Sequence, residues 1–195
     1  MNRKDEILEA VINVFQQEGF STDLKLSQIA EKVNIGKSTI YEYFKTKDEI
    51  YKEAILKIIQ THIDQSLDIG NIDEMTFEVA FKTQVEKLYR IAAKSRMMME
   101  VFTKNFVKKL PETIKLNLQK KMELAQQQIN KRFIDIFMKG LSEGLFPDVR
   151  SEIKRELATS LIVGGLVRYS DKSTNLDLQE FVNQIYKYTI LIGQE

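Results

Sequence analysis

The fold of this chain is decided by residues 26–47, which run LSQIAEKVNIGKSTIYEYFKTK. In the first part of this stretch, the apolar residues with helical spacing are Leu26, Ile29, Ala30 and Val33. Asn34 follows, and asparagine is the residue other than glycine that best tolerates a left-handed backbone. Ile40 and Phe44 then stand four residues apart, which predicts a second short helix with an inward apolar face. The stretch therefore predicts two short helices joined by a tight turn.

The second helix leaves a set of polar and aromatic side chains on its outer surface. These are Lys37, Ser38, Thr39, Glu42 and Tyr43. Side chains of these kinds reach phosphates and base edges, and the major groove of DNA is wide enough to admit an α-helix. In a helix-turn-helix motif, the second helix occupies that groove. We interpret residues 26–47 as a DNA-binding motif.

Charge is concentrated in this motif. The whole chain has 29 basic and 28 acidic residues, so its net charge of +1 is low for a DNA-binding protein. Residues 25–47, however, contain five lysines and two glutamates, which gives a local charge of +3. Because charges farther apart than about 10 Å are screened at 0.1 M salt, the local charge decides how strongly a surface attracts phosphates. The motif therefore has the charge of a moderate DNA-binding surface.

Several positions in the motif follow one family pattern, namely Ile29-Ala30, Ile35, Thr39-Ile40-Tyr41, Tyr43-Phe44 and Lys47. In these positions the sequence resembles the TetR (tetracycline repressor) family of one-component bacterial regulators. The match extends to about residue 50, and the remainder agrees with the family in helix count, length and placing of glycines. Three positions depart from the pattern: Asn34 and Ser38 replace glycines, and Lys25 replaces a common threonine.

The resemblance implies a role for each outward residue. The residues expected to face base edges are Lys37, Ser38, Thr39 and Glu42. The residues expected to hold the phosphate backbone are Lys25, Tyr41, Tyr43 and Lys47. The resemblance further implies a homodimer that binds a palindromic operator in double-stranded DNA, and a repressor that a small-molecule effector releases.

Helical patterns continue through the rest of the chain, and no segment shows the alternation of a strand. A first helix is predicted over residues 3–18, and a fourth from a Thr46 cap to about Leu67. Further helices are predicted over residues 73–93, 95–108, 112–143, 149–170 and 176–193. The expected fold is all-α with about nine helices. It comprises a three-helix DNA-binding domain, residues 1–47, and an effector-binding and dimerisation domain, residues 48–195.

The last two predicted helices are candidates for a dimer interface. The first of them contains Gly164 and Gly165, and glycine costs about 1 kcal/mol in a helix interior. That cost is tolerated where another backbone must approach closely. The second helix opens with Asp177 and Glu180 at the spacing of a capping box. The resemblance implies that both helices pair with their copies in a four-helix bundle, whereas periodicity alone indicates amphipathic helices.

A soft apolar cluster, Met97-Met98-Met99 with Phe102, is a candidate for part of an effector pocket. The candidate pocket residues are Phe81, Tyr89, Met98, Phe102, Phe133 and Phe137. Such pockets are mostly apolar with few polar groups, and no convergent charge stands out in the sequence. A lipophilic effector is therefore expected. The competing interpretation, an ordinary hydrophobic core, is the commoner role for such residues.

The composition argues against catalysis and against a resident metal or cofactor. There is no cysteine and one histidine, His62, and a single histidine makes a nucleophile–base pair improbable. Ile59 stands three residues before His62, where a di-iron ligand pattern needs glutamate. Gly36-Lys37-Ser38 imitates a nucleotide-binding loop, but Glu31 stands where that loop needs glycine. The N-terminus is charged, and the longest apolar run, residues 161–167, is too short to span a bilayer. We expect a cytoplasmic protein with no enzyme activity, no cofactor and no membrane association.

Two alternatives stay open. One is a DNA-binding protein of the same fold with an architectural or nucleoid-type role that senses no ligand. The other is a helical-bundle carrier or enzyme, which the lack of histidines and cysteines disfavours. Six lysines in residues 104–121 also leave open a second nucleic-acid contact, although such a run is usually a solvated helix face.

Overall fold

Eight α-helices form most of the chain that the structure describes, and this part contains no strand. In this computed structural model the described residues are 2–18, 25–94, 112–147, 152–170, 175 and 177–194. The helices are α1 (Arg3–Glu18), α2 (Leu26–Lys32), α3 (Lys37–Tyr43), α4 (Lys47–Leu67), α5 (Phe77–Lys94), α6 (Glu112–Ser142), α7 (Glu152–Ser170) and α8 (Leu178–Gln194). The all-α fold expected from the sequence is confirmed.

Contacts divide the chain into two units. The first comprises the chain up to His62, together with the residues of α6 up to Glu123. The second comprises Ile63–Lys94 and the chain from Leu124 onward. The domain boundary at residue 47 stays a prediction.

In the first unit, α1 packs against α2, and α2 packs against α3. The apolar face of α1 is buried, with at most 5% exposure for Ile7, Val11, Val14 and Phe15. Phe15 also contacts Tyr51 of α4, with ring centroids 5.6 Å apart. On α3, the side chains of Lys37, Ser38, Tyr41, Glu42 and Tyr43 are exposed.

In the second unit, α5, α7 and α8 pack against one another. Their buried apolar residues include Phe81, Val85, Ile162, Leu166, Val182 and Ile185. Phe77 meets Phe146 edge to face, with ring centroids 5.1 Å apart. The Phe146 ring lies so close to the backbone of Gly140 and Gly193 that a Cβ at either position would overlap it. Aromatic packing therefore extends from α5 to the ends of α6 and α8.

Several helices begin where capping residues predict them. Thr46 Oγ1 accepts a hydrogen bond from the Glu49 backbone N–H at 3.1 Å, at the start of α4. Asp177 Oδ1 accepts one from the Glu180 N–H at 2.9 Å, before α8. Each bond satisfies an N–H group that has no partner within its own helix. The predicted first helix, residues 3–18, matches α1.

The prediction that a helix begins at residue 73 is wrong. A short 3-10 turn, Ile72–Glu74, occupies this place, and the Asn71 side chain accepts a hydrogen bond from the Asp73 N–H. α5 begins only at Phe77, because the Thr76 hydroxyl caps it by accepting from the Val79 N–H at 3.3 Å. The helix predicted over residues 95–108 lies outside the described residues.

Two features are absent from the described ranges of the chain. None of their helices is both long and apolar enough to cross a membrane. No group of three or more histidine, aspartate or glutamate side chains there is placed to hold a metal ion.

Candidate nucleic-acid interface

A left-handed residue sets the turn between α2 and α3. Asn34 has a φ of 52°, as its place in the sequence predicts. The backbone N–H groups of Asn34 and Ile35 donate to the carbonyls of Glu31 and Ala30, at 3.1 and 2.9 Å. These two bonds satisfy carbonyl groups that the end of α2 would otherwise leave open. The turn thereby ends α2 and directs the chain into α3.

Two buried side chains fix which face of α3 points outward. Ile40 is fully buried, and Phe44, the residue that ends the helix, is 1% exposed. Because the two stand four residues apart, they lie on one face of the helix. The inward pair predicted from the sequence is confirmed, and the remaining surface of α3 presents polar and aromatic side chains.

The residues predicted to contact DNA lie on the surface of the first unit. The exposed ones are Lys25, Lys37, Ser38, Tyr41, Glu42 and Tyr43, and the half-buried ones are Thr39 and Lys47. Tyr41 and Tyr43 are 45% and 41% exposed. A tyrosine hydroxyl on this surface suits a phosphate contact, which positions a protein on DNA without reading its sequence. The contacts themselves stay a prediction.

Two lysines stand at the helix starts that flank the outward surface. Lys25 is the N-cap of α2, and its side chain makes no capping hydrogen bond, as expected where lysine replaces threonine. Lys47 opens α4, and its Nζ lies 5.3 Å from the centroid of the Tyr51 ring. Attraction between the ammonium and the ring favours one orientation of the Lys47 side chain. Glu49 orders the same turn by accepting a hydrogen bond from the Lys45 N–H at 2.6 Å.

Three of the residues predicted to line an effector pocket come together in the second unit. Phe81 of α5 packs against Phe133 and Phe137 of α6, with ring centroids 6.2 Å apart in both pairs. Tyr186 of α8 joins them, 5.9 Å from Phe81. Phe81 is fully buried, and the other three side chains are half-buried. We call these four residues the aromatic cluster.

Tyr89 packs between other rings, those of Tyr169 and Phe181, each with its centroid 5.8 Å away. Its hydroxyl donates to the Ile162 carbonyl at 3.0 Å. Burial raises the pKa of Tyr89 well above the ordinary tyrosine range, so the phenol stays neutral. A role for Tyr89 in effector binding stays a prediction. Met98 and Phe102 lie outside the described residues.

Gln84 of α5 is a buried polar residue that the sequence analysis missed. It is fully buried, and its Nε2 donates to the Ser66 carbonyl near the end of α4 at 2.8 Å. Its Oε1 has no hydrogen-bond partner among the described residues. A buried acceptor left without a donor costs about 1–3 kcal/mol, so this oxygen marks a place for a further polar group. The sequence signal for it is a lone glutamine on the apolar face of α5.

The last two helices expose apolar side chains in the protomer. On α7, Ile153 and Leu157 are 70% and 53% exposed and lie on the same face as Gly164. On α8, Tyr188 and Leu191 are 51% and 47% exposed. Exposed apolar surface on a helix is typical of a protein contact. The dimer interface predicted for these helices stays a prediction.

The N-terminal part of the chain matches a known family. A family model described as "Bacterial regulatory proteins, tetR family" matches residues 7–54. This range begins within α1 and extends through α2 and α3 into α4. It therefore contains the whole helix-turn-helix and the start of the helix that follows.

Two curated relatives match part of the chain. The uncharacterized HTH-type transcriptional regulator YhgD of Bacillus subtilis (strain 168) is 34% identical over 71 residues, 35% of this chain and 37% of that protein. The biofilm operon icaADBC HTH-type negative transcriptional regulator IcaR of Staphylococcus epidermidis is 31% identical over 61 residues, 31% of this chain and 32% of that protein. The matches thus span about a third of each relative's length.

Similarity in fold extends over almost the entire chain. The crystal structure of the transcriptional regulator FadR from Bacillus subtilis in complex with stearoyl-CoA has a TM-score of 0.65. The alignment covers 96% of this chain and 98% of that one at 18% identity, so it shows the fold alone. The family match over residues 7–54 confirms the resemblance found in that part of the sequence. Residues 7–54 are therefore similar to the DNA-binding region of the tetR family of bacterial regulatory proteins.

Proposed function

We propose that the protein is a homodimeric repressor that binds a palindromic operator through α3 and leaves it when a small lipophilic effector binds. The observation that carries the proposal is the outward surface of α3, whose opposite face is fixed by the buried Ile40 and Phe44. That surface presents lysine, hydroxyl and aromatic groups beside one another. In a dimer, two such helices about 34–36 Å apart would enter successive major grooves.

The outward residues divide into two roles in this proposal. Base edges are contacted by Lys37, Ser38, Thr39 and Glu42, and phosphates by Lys25, Tyr41, Tyr43 and Lys47. Phosphate contacts set the strength and salt dependence of binding, while base contacts select the sequence. Because such a protein acts on the chromosome, we place it in the cytoplasm, and we expect no enzyme activity.

Binding to its own promoter tests the proposal. The purified protein is expected to be a dimer and to bind a palindromic promoter fragment with an affinity that falls steeply as salt rises. Fluorescence anisotropy of a labelled duplex, measured from about 50 to 200 mM salt, gives the affinity and the salt slope. A strictly monomeric protein, or one without salt-sensitive binding to that fragment, would refute the proposal.

Lys47→Ala is expected to weaken binding to all DNA sequences alike and to reduce the salt slope by about one unit per half-site. The reason is that each protomer loses one phosphate contact and no base contact. Lys87→Ala is the matched control, because it removes one half-buried lysine, as Lys47 is, from α5 in the second unit. A Lys47→Ala protein that changes its preferred sequence but keeps its salt slope would contradict the phosphate role.

For the effector, we propose that an apolar chain lies against the aromatic cluster and that Gln84 Oε1 accepts a hydrogen bond from the effector. The buried oxygen needs a donor, which an effector with a hydroxyl or N–H group supplies. The FadR structure of this fold holds stearoyl-CoA, which supports a long-chain ligand class. Gln84 also bonds to the carbonyl of Ser66 in α4, the helix that carries Lys47 at its other end. A ligand that prefers a displaced α4 would lower operator affinity by its preference ratio, typically 1–3 kcal/mol.

A long-chain alcohol and its methyl ether test the predicted hydrogen bond, because they differ in one donor. The wild-type protein is expected to bind the alcohol about five- to tenfold more tightly than the ether, and Gln84→Leu is expected to bind both equally. Displacement of a fluorescent lipophile gives both affinities, and release of labelled operator reports the coupling. Equal binding of both probes by the wild type would contradict the role of Gln84. If the protein binds DNA but neither probe, the result would favour the alternative of a DNA-binding protein that senses no ligand.

A further inference from the structure

Lys4 contacts two other elements of the first unit with a single ammonium group. It lies on α1, and its Nζ forms a salt bridge with Glu53 Oε1 of α4 at 2.8 Å. The same Nζ lies over the ring of Phe44, 5.0 Å from its centroid. Phe44 is the residue that ends α3, and its backbone N–H donates to the Ile40 carbonyl. One side chain therefore joins α1, α4 and the end of α3.

The position of Phe44 bears directly on the outward surface. Phe44 follows Tyr43, and Lys47 opens the next helix three residues later. Whatever fixes the Phe44 ring therefore also fixes the backbone that carries the phosphate contacts of the proposed function. The Lys4 and Glu53 side chains are 38% and 31% exposed, and pairs with such exposure add little to folding stability. The geometry of the three contacts matters more than their strength.

Lys57 is a second lysine that joins α1 and α4, and it can be compared with Lys4. It also connects α4 to α1, through Glu9 at 3.0 Å and Asp5 at 3.6 Å. The hydrogen bond to Glu9 raises the pKa of Lys57, and both carboxylates favour its charged form. These two pairs join the same two helices as Lys4 does, but neither includes a residue of α3 or its cap. The contact with Phe44 is what distinguishes Lys4.

We infer that Lys4 is a positioning residue for DNA recognition: held by Glu53, it orients Phe44 and thereby the end of α3, without contacting DNA itself. The inference rests on the proposed function of α3. Glu53 repels DNA phosphates, yet the bound ammonium needs it as a partner.

Two substitutions test the inference through the sign of their effects. Lys4→Met keeps the aliphatic stem of lysine, and Glu53→Gln keeps the shape of glutamate, while each removes one charge. Each is expected to weaken operator binding about three- to tenfold. The double variant is expected to bind no more weakly than the single variant that has the larger loss of affinity. Lys57→Met is expected to change the operator affinity less than about twofold. Lys4→Arg keeps the positive charge at this position and is expected to keep the operator affinity of the wild type. The salt slope is expected to stay that of the wild type in all five variants.

The result for Glu53→Gln is the most decisive. Removing a negative charge near DNA strengthens binding when only general electrostatics acts, so weaker binding requires a positional effect. If Lys4→Met flattens the salt slope while Glu53→Gln tightens binding, Lys4 contacts a phosphate and the inference is overturned. Wild-type affinity in both variants overturns it as well, as does an equal loss in Lys57→Met.

Two further measurements separate this inference from other causes. Thermal unfolding of each variant shows whether it folds, and operator affinity measured well below the midpoint is insensitive to a loss of stability alone. If the wild type binds no promoter DNA, the proposed function fails. If the wild type binds DNA and both Lys4→Met and Glu53→Gln bind equally well, only the role of Lys4 fails.

Discussion

Leu157→Glu is expected to convert the proposed dimer into a monomer and to weaken operator binding by about 100-fold or more. Leu157 is 53% exposed in the protomer and shares a face of α7 with Ile153 and Gly164. Where that face meets its copy, the substitution buries a carboxylate in apolar surroundings. Each protomer then binds a half-site alone and loses the high local concentration of a linked partner. Sedimentation velocity and fluorescence anisotropy measure the two effects.

Thr159→Glu is the matched control for this experiment. Thr159 is exposed on α7 but lies on a different face from Leu157. The Thr159→Glu substitution adds the same charge as Leu157→Glu and is expected to leave the proposed dimer and its operator affinity unchanged. Circular dichroism is expected to show the same helical content for both variants, because neither side chain lies in the core. A Leu157→Glu protein that stays dimeric would place the interface elsewhere.

In the monomeric Leu157→Glu background, Gly165→Ala is expected to lower the free energy of unfolding by about 1–3 kcal/mol. A Cβ at position 165 would overlap the Tyr89 hydroxyl oxygen and stand 2.8 Å from Cδ1 of Ile185. Tyr89 has little room to move, because it is fully buried and its hydroxyl is bonded to α7. This overlap outweighs the advantage of roughly 1 kcal/mol that alanine has over glycine in a helix.

Gly164→Ala, one residue earlier, is expected to have the opposite sign. Apart from the backbone of α7 itself and the two adjacent residues, no atom of the described residues lies within 4 Å of its added Cβ. Alanine is therefore expected to raise the free energy of unfolding by up to about 1 kcal/mol. Combining Gly165→Ala with Tyr89→Phe removes the overlapping hydroxyl and is expected to recover part of the loss. Urea unfolding at one protein concentration compares all three variants. Equal effects at positions 164 and 165 would contradict the packing around Tyr89.

Features that depend on neighbours in the chain were predictable from the sequence. The left-handed Asn34, the Thr46 and Asp177 caps, and the inward pair Ile40 and Phe44 all follow from residues within one or two turns. The start of α5 was mispredicted for a local reason too. Acidic residues after Asn71 suit a helix start, but Asn71 caps a 3-10 turn, and the Thr76 cap comes later.

Features that depend on distant residues were not predictable in this way. Gly164 and Gly165 are equivalent in the sequence, yet one faces open space and the other meets Tyr89. The hydrogen bond from Gln84 to Ser66 joins residues 18 positions apart on two different helices. Lys4 and Phe44, which are in contact, are separated in the sequence by most of the helix-turn-helix. Periodicity shows which face of a helix is buried. It does not show which residue of another element lies against that face.

The packing around Phe146 is completed late in the synthesis of this protein. Its ring is covered on one side by Gly140, at the end of α6, and on the other by Gly193, near the end of α8. On the ribosome, α6 and Phe146 are synthesised before α8, so the edge of the ring that faces Gly193 stays uncovered until α8 is made. Phe77 and Phe137 contact the same ring, so the aromatic packing that they form with it is also incomplete until α8 is made. Throughout it the nascent chain carries an aggregation-prone aromatic surface, which is where a chaperone would act.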